Sequence, residues 1–223
     1  MSKISATITA LGAYVPEHIL SNAMLENMVD TNDEWITART GIKERRILKE
    51  NGKGTSYLAI NAAKDLIKKA ELDPSTIDLV IVATATPDMK AASTASFTAT
   101  AIGACNAFSF DMDSACSGFL FGMSTAASYI ESGRYKKILL IGADKMSSIV
   151  NYKDRTTCII FGDGAGAALF EPNFDGLGIQ DQYLRTDGSG RDFLQATYGG
   201  SSNPITHEVL DSGGHYAFQE GKT

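Results

Sequence analysis

A change of hydrophobic period marks the centre of the sequence. Over residues 108–113 apolar side chains alternate with polar ones, which is the period of a strand whose two faces differ. Over residues 119–130 the chain is apolar on nearly all sides, which indicates a buried helix. Asp113 or Ser114 is a suitable N-cap and Gly133 a suitable stop. The chain is therefore organised around a strand that passes directly into a helix.

Cys116 falls at this change of period, so the sequence places it in the first turn of the predicted helix. Backbone N–H groups are unpaired there and the helix dipole is positive, which favours an anion. A thiol so placed loses its proton more readily, and the thiolate is the nucleophilic form. The alternative is a small buried cysteine that fills core space. Position alone leaves both interpretations open.

The composition excludes several classes of function. The 223 residues are 43% hydrophobic and 21% charged, which is enough to form a sizeable core. A formal net charge of -6 argues against a general nucleic-acid or membrane-surface binder. Cys105, Cys116 and Cys158 lack metal-ligand spacing and suit a reducing compartment, so we expect a cytoplasmic protein without a metal site. No signal h-region and no apolar run of membrane-spanning length is present in the sequence.

Covered strands alternate with helices along the first two thirds of the chain. Residues 77–84 and 137–144 are nearly continuous apolar runs, as expected for strands covered on both faces. Residues 4–14 predict a first strand, and helical periodicity extends over 55–72 and 93–102. This order indicates a layered α/β fold with crossover connections.

The densest basic cluster, residues 42–46, follows two short predicted helices at 22–29 and 31–40. Such a run is most often a solvated surface. Because it lies close in sequence to Arg39 and to the single tryptophan, Trp35, it is also a candidate site for a phosphate-bearing ligand.

The glycines of residues 158–170 approximate a dinucleotide-binding loop. Such a loop must open a helix of a dozen or so residues, whereas this run is short and is followed by Glu171 and Pro172. We therefore predict a tight turn and a strand that stops at these two residues. Another strand is expected over 176–185, and no long periodic element over 187–223. The chain has no closing motif, and we expect it to be part of a longer protein.

Four stretches together resemble the β-ketoacyl-acyl carrier protein synthase III family, the initiating condensing enzymes of type II fatty-acid synthesis. They are Thr31–Ile36 with Arg39–Arg45, Val82–Thr84 with Thr86–Asp88, Ala115–Phe119, and Ile160–Ala167. The resemblance implies the thiolase-like fold, a layered α/β/α/β/α sandwich of two duplicated βαβαβαββ halves. It implies that residues 1–171 form the first half, which carries the nucleophile, and that residues 172–223 open the second.

The resemblance also implies roles for five residues. Cys116 matches the acyl-accepting nucleophile. Trp35 and Arg155 match the pair that sandwiches the adenine of coenzyme A, and Arg39 and Thr40 match further contacts to that ligand. An indole face and guanidinium groups suit a purine and anionic phosphates. Without the resemblance, Trp35 would be interpreted as a packing residue and Arg155 as a member of a surface ion pair.

The reaction that the resemblance implies is a ping-pong condensation. The thiolate takes an acyl group from acyl-CoA, malonyl-acyl carrier protein then loses CO2, and its carbanion attacks the thioester. Backbone N–H groups, including that of Cys116, are expected to stabilise the oxyanion. The resemblance implies no permanently bound cofactor, acyl-CoA and malonyl-acyl carrier protein as partners, and a homodimer paired through the strand Ala107 to Asp113.

Two features depart from the pattern of the family. None of His18, His207 and His215 lies in the sequence context of the family's catalytic histidine, and the segment with its partner asparagine is absent from these residues. We therefore assign no catalytic histidine and expect the 223 residues alone to be inactive in condensation. Residues 90–93 replace an aromatic and a proline, which favours a roomier acyl pocket. The alternatives are a related thiolase-fold acyltransferase with another acceptor, and a non-catalytic fragment or subunit.

Overall fold

The structure, a computed structural model, describes residues 4–220. In chain order, its strands are β1 (Ser5–Tyr14), β2 (His18–Ser21), β3 (Glu44–Ile47), β4 (Leu79–Ala83), β5 (Phe108–Met112), β6 (Ile138–Lys145), β7 (Asp163–Asn173), β8 (Leu194–Ala196) and β9 (Ala217–Gln219). Its α-helices are α1 (Asn22–Leu25), α2 (Asp33–Thr40), α3 (Thr55–Ala70), α4 (Thr94–Ile102), α5 (Gly118–Glu131), α6 (Arg155–Cys158) and α7 (His207–Ser212). These elements belong to two compact units.

The first unit comprises the described residues of Met1–Pro16, Leu48–Lys145 and Gly164–Leu184. It contains a five-stranded mixed sheet in the order β1-β7-β6-β4-β5. Strand β4 is parallel to both β5 and β6, whereas β1 is antiparallel to β7. The predicted α/β class is therefore confirmed, and β5 lies at one edge of the sheet.

Helices cover both faces of this sheet, because the side chains of β4 alternate between two cores. Val80 and Val82 pack with residues of α3 and α4. Leu79 and Ile81 pack with residues of α5. All of β4 is buried, as the continuous apolar run predicted, and each of its leucine, valine and isoleucine side chains stabilises the fold by about 1.5–3 kcal/mol.

Helix α5 approaches the sheet closely because two glycines face it. A Cβ at Gly118 would lie 3.2 Å from the Cβ of Ala83, and one at Gly122 would lie 2.5 Å from Leu140 Cδ1. The helix is buried along this side, but Leu120 is 57% exposed. The predicted buried helix is therefore buried on the side that faces the sheet, whereas its other apolar side is not covered among the described residues.

The second unit comprises Glu17–Ile47, Met146–Asp163 and the described residues of Arg185–Thr223. Two antiparallel pairs, β2 with β3 and β8 with β9, form its sheets. Its buried core residues are Leu20, Leu25, Ile36, Ile47, Val150, Cys158 and Ile159. Ile36 of α2 and Cys158 of α6 belong to this core, so both helices pack against it.

Two predicted element boundaries and one predicted strand differ from the structure. Helix α1 ends at Leu25, four residues earlier than expected. Strand β7 continues through Pro172 to Asn173, since a proline near a strand end removes one donor without ending the pairing. Residues 176–185 form no strand, and there Ile179 N donates one hydrogen bond of 2.9 Å to Ala6 O. The glycine-rich run does form a turn and a strand, as predicted.

Candidate active site

Cys116 lies in a single 3-10 turn, Ala115–Ser117, between β5 and α5. The prediction that it lies in the first turn of the helix is therefore wrong, since α5 begins at Gly118. Ala115 causes the difference: its φ of +45° is in the left-handed region, which residues with a Cβ rarely adopt. The chain therefore turns sharply at the end of the strand, directly before the nucleophile candidate.

The thiol of Cys116 is exposed in the described part of the chain, so it fills no core space there. Cys158 is the opposite case. It is buried, and burial together with nearby Asp154 raises the pKa of its thiol, against the lowering influence of Arg45. The two environments separate an accessible thiol from a structural one.

The carboxyl ends of three parallel strands meet at the edge of the sheet where Cys116 lies. Thr84 N donates to Met112 O at 3.1 Å, which joins the end of β4 to the end of β5. Asp144 Oδ1 accepts hydrogen bonds from Thr84 Oγ1 at 3.1 Å and from Thr86 Oγ1 at 3.0 Å. The loop after β4 is therefore fixed. In open α/β sheets, ligands bind at the carboxyl ends of the strands.

A second cluster of predicted residues is built on α2 in the second unit. Asn32 accepts a hydrogen bond from Trp35 N at 2.8 Å and caps the helix, which ends at Gly41 in the left-handed conformation. Trp35 and Arg39 are four residues apart and thus share one helix face. The guanidinium carbon of Arg39 lies 4.8 Å from the centre of the indole ring.

Arg155 completes this cluster. It is the first residue of α6, and its guanidinium carbon lies 5.0 Å from the centre of the Trp35 ring. Its Nη1 also donates to Asp30 O at 2.9 Å and lies 3.8 Å from the Asp30 carboxylate. Arg155 thus makes both the surface ion pair and the aromatic contact that the sequence left as alternatives. We call Trp35, Arg39 and Arg155 the indole clamp.

Thr40 stands beside the indole clamp, but its hydroxyl is engaged by the backbone. Thr40 Oγ1 donates to Ile36 O at 2.8 Å and accepts from Ile42 N at 3.1 Å. These bonds close the end of α2. A ligand contact from Thr40 therefore has to share an oxygen that already stabilises the helix terminus.

The basic cluster at 42–46 is not one continuous charged surface. Arg45 is 3% exposed, whereas the side chain of Arg46 is 35% exposed and pairs with Glu44 at 3.1 Å. The basic run had suggested a phosphate site, but Arg45 cannot belong to a solvated one because it is buried. Its burial could have been inferred from the alternation of a strand, since Arg45 and buried Ile47 point to the same face of β3.

Residues 4–220 contain neither a metal cluster nor a membrane-spanning helix. Within that range no group of three or more His, Cys, Asp and Glu side chains is arranged to hold a metal ion. Nor is any of its helices both long enough and apolar enough to cross a lipid bilayer.

Comparison with known proteins places this arrangement in a family. Residues 110–188 match the family model described as 3-oxoacyl-[acyl-carrier-protein (ACP)] synthase III. All of the chain aligns at 56% identity with 67% of β-ketoacyl-[acyl-carrier-protein] synthase III 2 of Bacteroides thetaiotaomicron. From Chlorobium phaeovibrioides, a β-ketoacyl-[acyl-carrier-protein] synthase III is 50% identical over 98% of the chain and 67% of the relative.

Solved structures give the same result. The 3-oxoacyl-[acyl-carrier-protein] synthase III of Aquifex aeolicus matches 93% of the chain and 67% of its own, with a TM-score of 0.83 and 40% identity. The priming β-ketosynthase of the R1128 polyketide pathway matches 97% of the chain and 64% of its own, with a TM-score of 0.88 and 31% identity. The expected thiolase-like fold is confirmed. This chain belongs to the β-ketoacyl-[acyl-carrier-protein] synthase III family.

Proposed function

We propose that this chain carries the acyl-accepting part of an enzyme that initiates fatty-acid synthesis. The observation that carries the proposal is the exposed Cys116 thiol at a sharp turn between a parallel strand and a helix. Membership in the family supports it. The chain spans about two thirds of the length of the relatives that it matches, so the proposal concerns the full-length protein.

In the proposed first step, the Cys116 thiolate attacks the carbonyl carbon of acyl-CoA. A thioester to Cys116 forms, and the thiolate of coenzyme A leaves and takes up a proton. In the second step, malonyl-acyl carrier protein loses CO2 and its carbanion attacks the new thioester, which releases Cys116 and the β-ketoacyl product. Each step passes through an oxyanion that needs hydrogen-bond donors directed at it. We propose the backbone N–H of Cys116 as one of these donors.

The indole clamp is the proposed site for the adenine nucleotide of acyl-CoA. Two guanidinium groups within 5.0 Å of one indole ring supply positive charge for phosphates and flat surfaces for a purine. In a chain of net charge -6, only such a local cluster attracts an anion. Acyl-CoA is then a substrate and not a resident cofactor, and Thr40 adds a contact through its shared hydroxyl.

Three further assignments belong to this proposal. Residues 1–171 form the first thiolase-like half, and residues 172–223 open the second. The enzyme is a homodimer paired through β5. It acts in the cytoplasm, an assignment supported by three free cysteines in the described residues.

The test is an assay of the full-length protein with acetyl-CoA and malonyl-acyl carrier protein, which follows both CO2 release and β-ketoacyl product. Cys116→Ser should abolish acyl-enzyme formation, whereas Cys105→Ser, which removes another exposed thiol, should retain it. Acylation of the Cys116→Ser variant at the wild-type rate would contradict the proposal.

The same assay separates the alternative functions. Acylation of Cys116 without consumption of malonyl-acyl carrier protein would favour a related acyltransferase with another acceptor. The 223 residues expressed alone should form no condensation product, because the groups that stabilise the malonyl-derived carbanion are not among them. Product from these residues alone would show that this assignment is wrong.

A further inference from the structure

Arg45 is a buried cation whose neighbours are not carboxylates. It is 3% exposed, and no carboxylate oxygen within residues 4–220 lies within 4.0 Å of its guanidinium. Burial lowers the pKa of Arg45, while nearby Cys158 and Tyr152 raise it. A buried charge is costly unless its donors are all used, so the hydrogen bonds of this guanidinium show what it holds in place.

One side of the guanidinium holds the end of α6. Arg45 Nε donates to Ile159 O at 2.9 Å, and Nη2 donates to the same oxygen. Ile159 is the residue that directly follows α6, a helix of four residues whose first is Arg155. A helix of one turn has few internal hydrogen bonds. Its position therefore depends on the contacts at its two ends.

The other side of the guanidinium holds the start of α2 through Asn22. Arg45 Nη1 donates to Asn22 Oδ1, and Asn22 is 2% exposed. Asn22 Nδ2 donates to Asp33 Oδ1 at 2.7 Å and to Ile42 O at 2.8 Å. Asp33 is the first residue of α2, and Ile42 follows its end. One buried amide thus fixes both ends of the helix that carries Trp35.

We propose that Arg45 is a positioning residue that sets the separation of the Arg155 guanidinium from the Trp35 indole, and thereby the affinity for the adenine nucleotide of acyl-CoA, without contacting the ligand. The proposal rests on the proposed function of the indole clamp. The planar guanidinium presents donors in two fixed directions at once, toward Ile159 and toward Asn22. A lysine ammonium at the end of a flexible stem does not reproduce this geometry.

The decisive comparison uses two substrates that differ only in the part bound by the clamp. In the full-length protein, kcat/KM is measured for acetyl-CoA and for acetyl-pantetheine, which lacks the adenine nucleotide. Arg45→Lys and Asn22→Leu should lower the value for acetyl-CoA by up to about 100-fold, the cost of a displacement near 1 Å, and leave that for acetyl-pantetheine near the wild-type value. The ratio of the two values should therefore fall in both variants.

Ile47→Ala is the matched control for a purely structural effect. Ile47 lies on the same strand, is 6% exposed and packs in the same core. Its side chain is apolar and therefore cannot form a hydrogen bond to α2 or α6. Its loss should lower the melting temperature and leave the substrate ratio unchanged. An unchanged ratio in folded Arg45→Lys, or an equal fall in Ile47→Ala, would overturn the proposal.

A measurement without ligand separates this proposal from the function on which it rests. Trp35 is the only tryptophan among these 223 residues. In full-length protein with any further tryptophan replaced by phenylalanine, acrylamide quenching of Trp35 fluorescence therefore reports the cover that Arg155 provides. Quenching should increase in Arg45→Lys and in Asn22→Leu but not in Ile47→Ala, and unchanged quenching in the first two would overturn the positioning role. A wild-type protein that does not distinguish the two substrates would overturn the nucleotide assignment of the clamp, and the quenching would still decide the role of Arg45.

Discussion

Gly12 of β1 lies directly against the backbone of Leu66 in α3. A Cβ added at position 12 would stand 2.5 Å from Leu66 N and 2.7 Å from Leu66 Cβ, and 2.4 Å from Ala62 O. These are mostly backbone atoms of a regular helix, which cannot rotate away. We expect Gly12→Ala to lower the free energy of unfolding of the full-length protein by about 3 kcal/mol, the upper end of typical overpacking costs. Chemical denaturation measures this loss.

Gly188→Ala is the control for the Gly12 substitution. Gly188 has no described atom within 4 Å of its added Cβ and needs no left-handed backbone. We expect a change within about 0.5 kcal/mol there, as for other surface substitutions. Equal effects at the two positions would show that β1 and α3 are not packed as closely as the structure has them.

The three thiols should react with iodoacetamide in a fixed order. Cys116 should be alkylated first, because it is exposed at the turn directly before α5 and is the proposed nucleophile. Cys158 should stay unmodified at pH 8, because it is buried and its raised pKa keeps the thiol protonated. Peptide mapping by mass spectrometry gives the order, and earlier labelling of Cys105 than of Cys116 would contradict it.

Alkaline pH should destabilise the fold through Tyr152. Burial, with the nearby Asp163 and Cys158, raises the pKa of Tyr152 to about 12 from an ordinary value of 10.0. Between these values the unfolded chain loses the phenol proton before the folded chain does, so the folded state binds more protons and stability falls as pH rises. The contribution is complete below pH 10 and is lost as pH passes through about 12.

Tyr152→Phe removes this titration while keeping the ring. The phenol oxygen of Tyr152 is buried and has no hydrogen-bond partner among the described residues, so the substitution should cost little at neutral pH. Over the range from pH 8 to pH 11.5, the urea midpoint of wild type should fall relative to that of the variant as pH rises. A difference that is constant across this range would show that Tyr152 titrates normally.

Strand β5 should be the centre of a homodimer. It lies at the edge of the sheet, and Phe108, 40% exposed, joins an aromatic cluster with ring centres 5.1 Å from Tyr135 and 6.0 Å from Tyr129. Pairing with the same strand of a second copy covers both the edge and these rings. Light scattering of the full-length protein at tens of micromolar should give a dimer.

Phe108→Arg places a charge in this cluster and should shift the protein toward monomer. Met24→Arg is the matched control, since Met24 is similarly exposed, at 43%, but lies on α1 in the other unit. A wild-type monomer, or a dimer that both variants leave intact, would contradict pairing through β5.

The regular elements of the first unit were predictable because their signals are local. The continuous apolar run of β4 and the period of α3 need no information about distant residues. The prediction of a strand at 176–185 was wrong because a strand exists only through its neighbours. This segment forms no regular ladder with β1, although Ile179 N donates to Ala6 O. Apolar composition cannot reveal which neighbours are present.

The residues of the candidate site could be predicted from the sequence. The burial and backbone geometry that hold those residues in place could not. Trp35, Arg39 and Arg155 were identified by resemblance, and the structure brings them together around one ring. The basic run concealed the burial of Arg45, because charge suggests exposure more strongly than a four-residue strand suggests alternation. The turn before Cys116 was not predicted, because an alanine at position 115 gives no indication of a left-handed backbone.

Two requirements conflict at Ala115, whose backbone is left-handed. A side chain in this conformation costs about 1–2 kcal/mol that a glycine would not. Glycine at position 115 would relieve the strain, but it would also widen the conformations open to the neighbouring thiol. Chain stability and a precisely held nucleophile candidate therefore favour different residues at this position. With alanine at position 115, this chain limits the conformations open to Cys116 at a cost in stability.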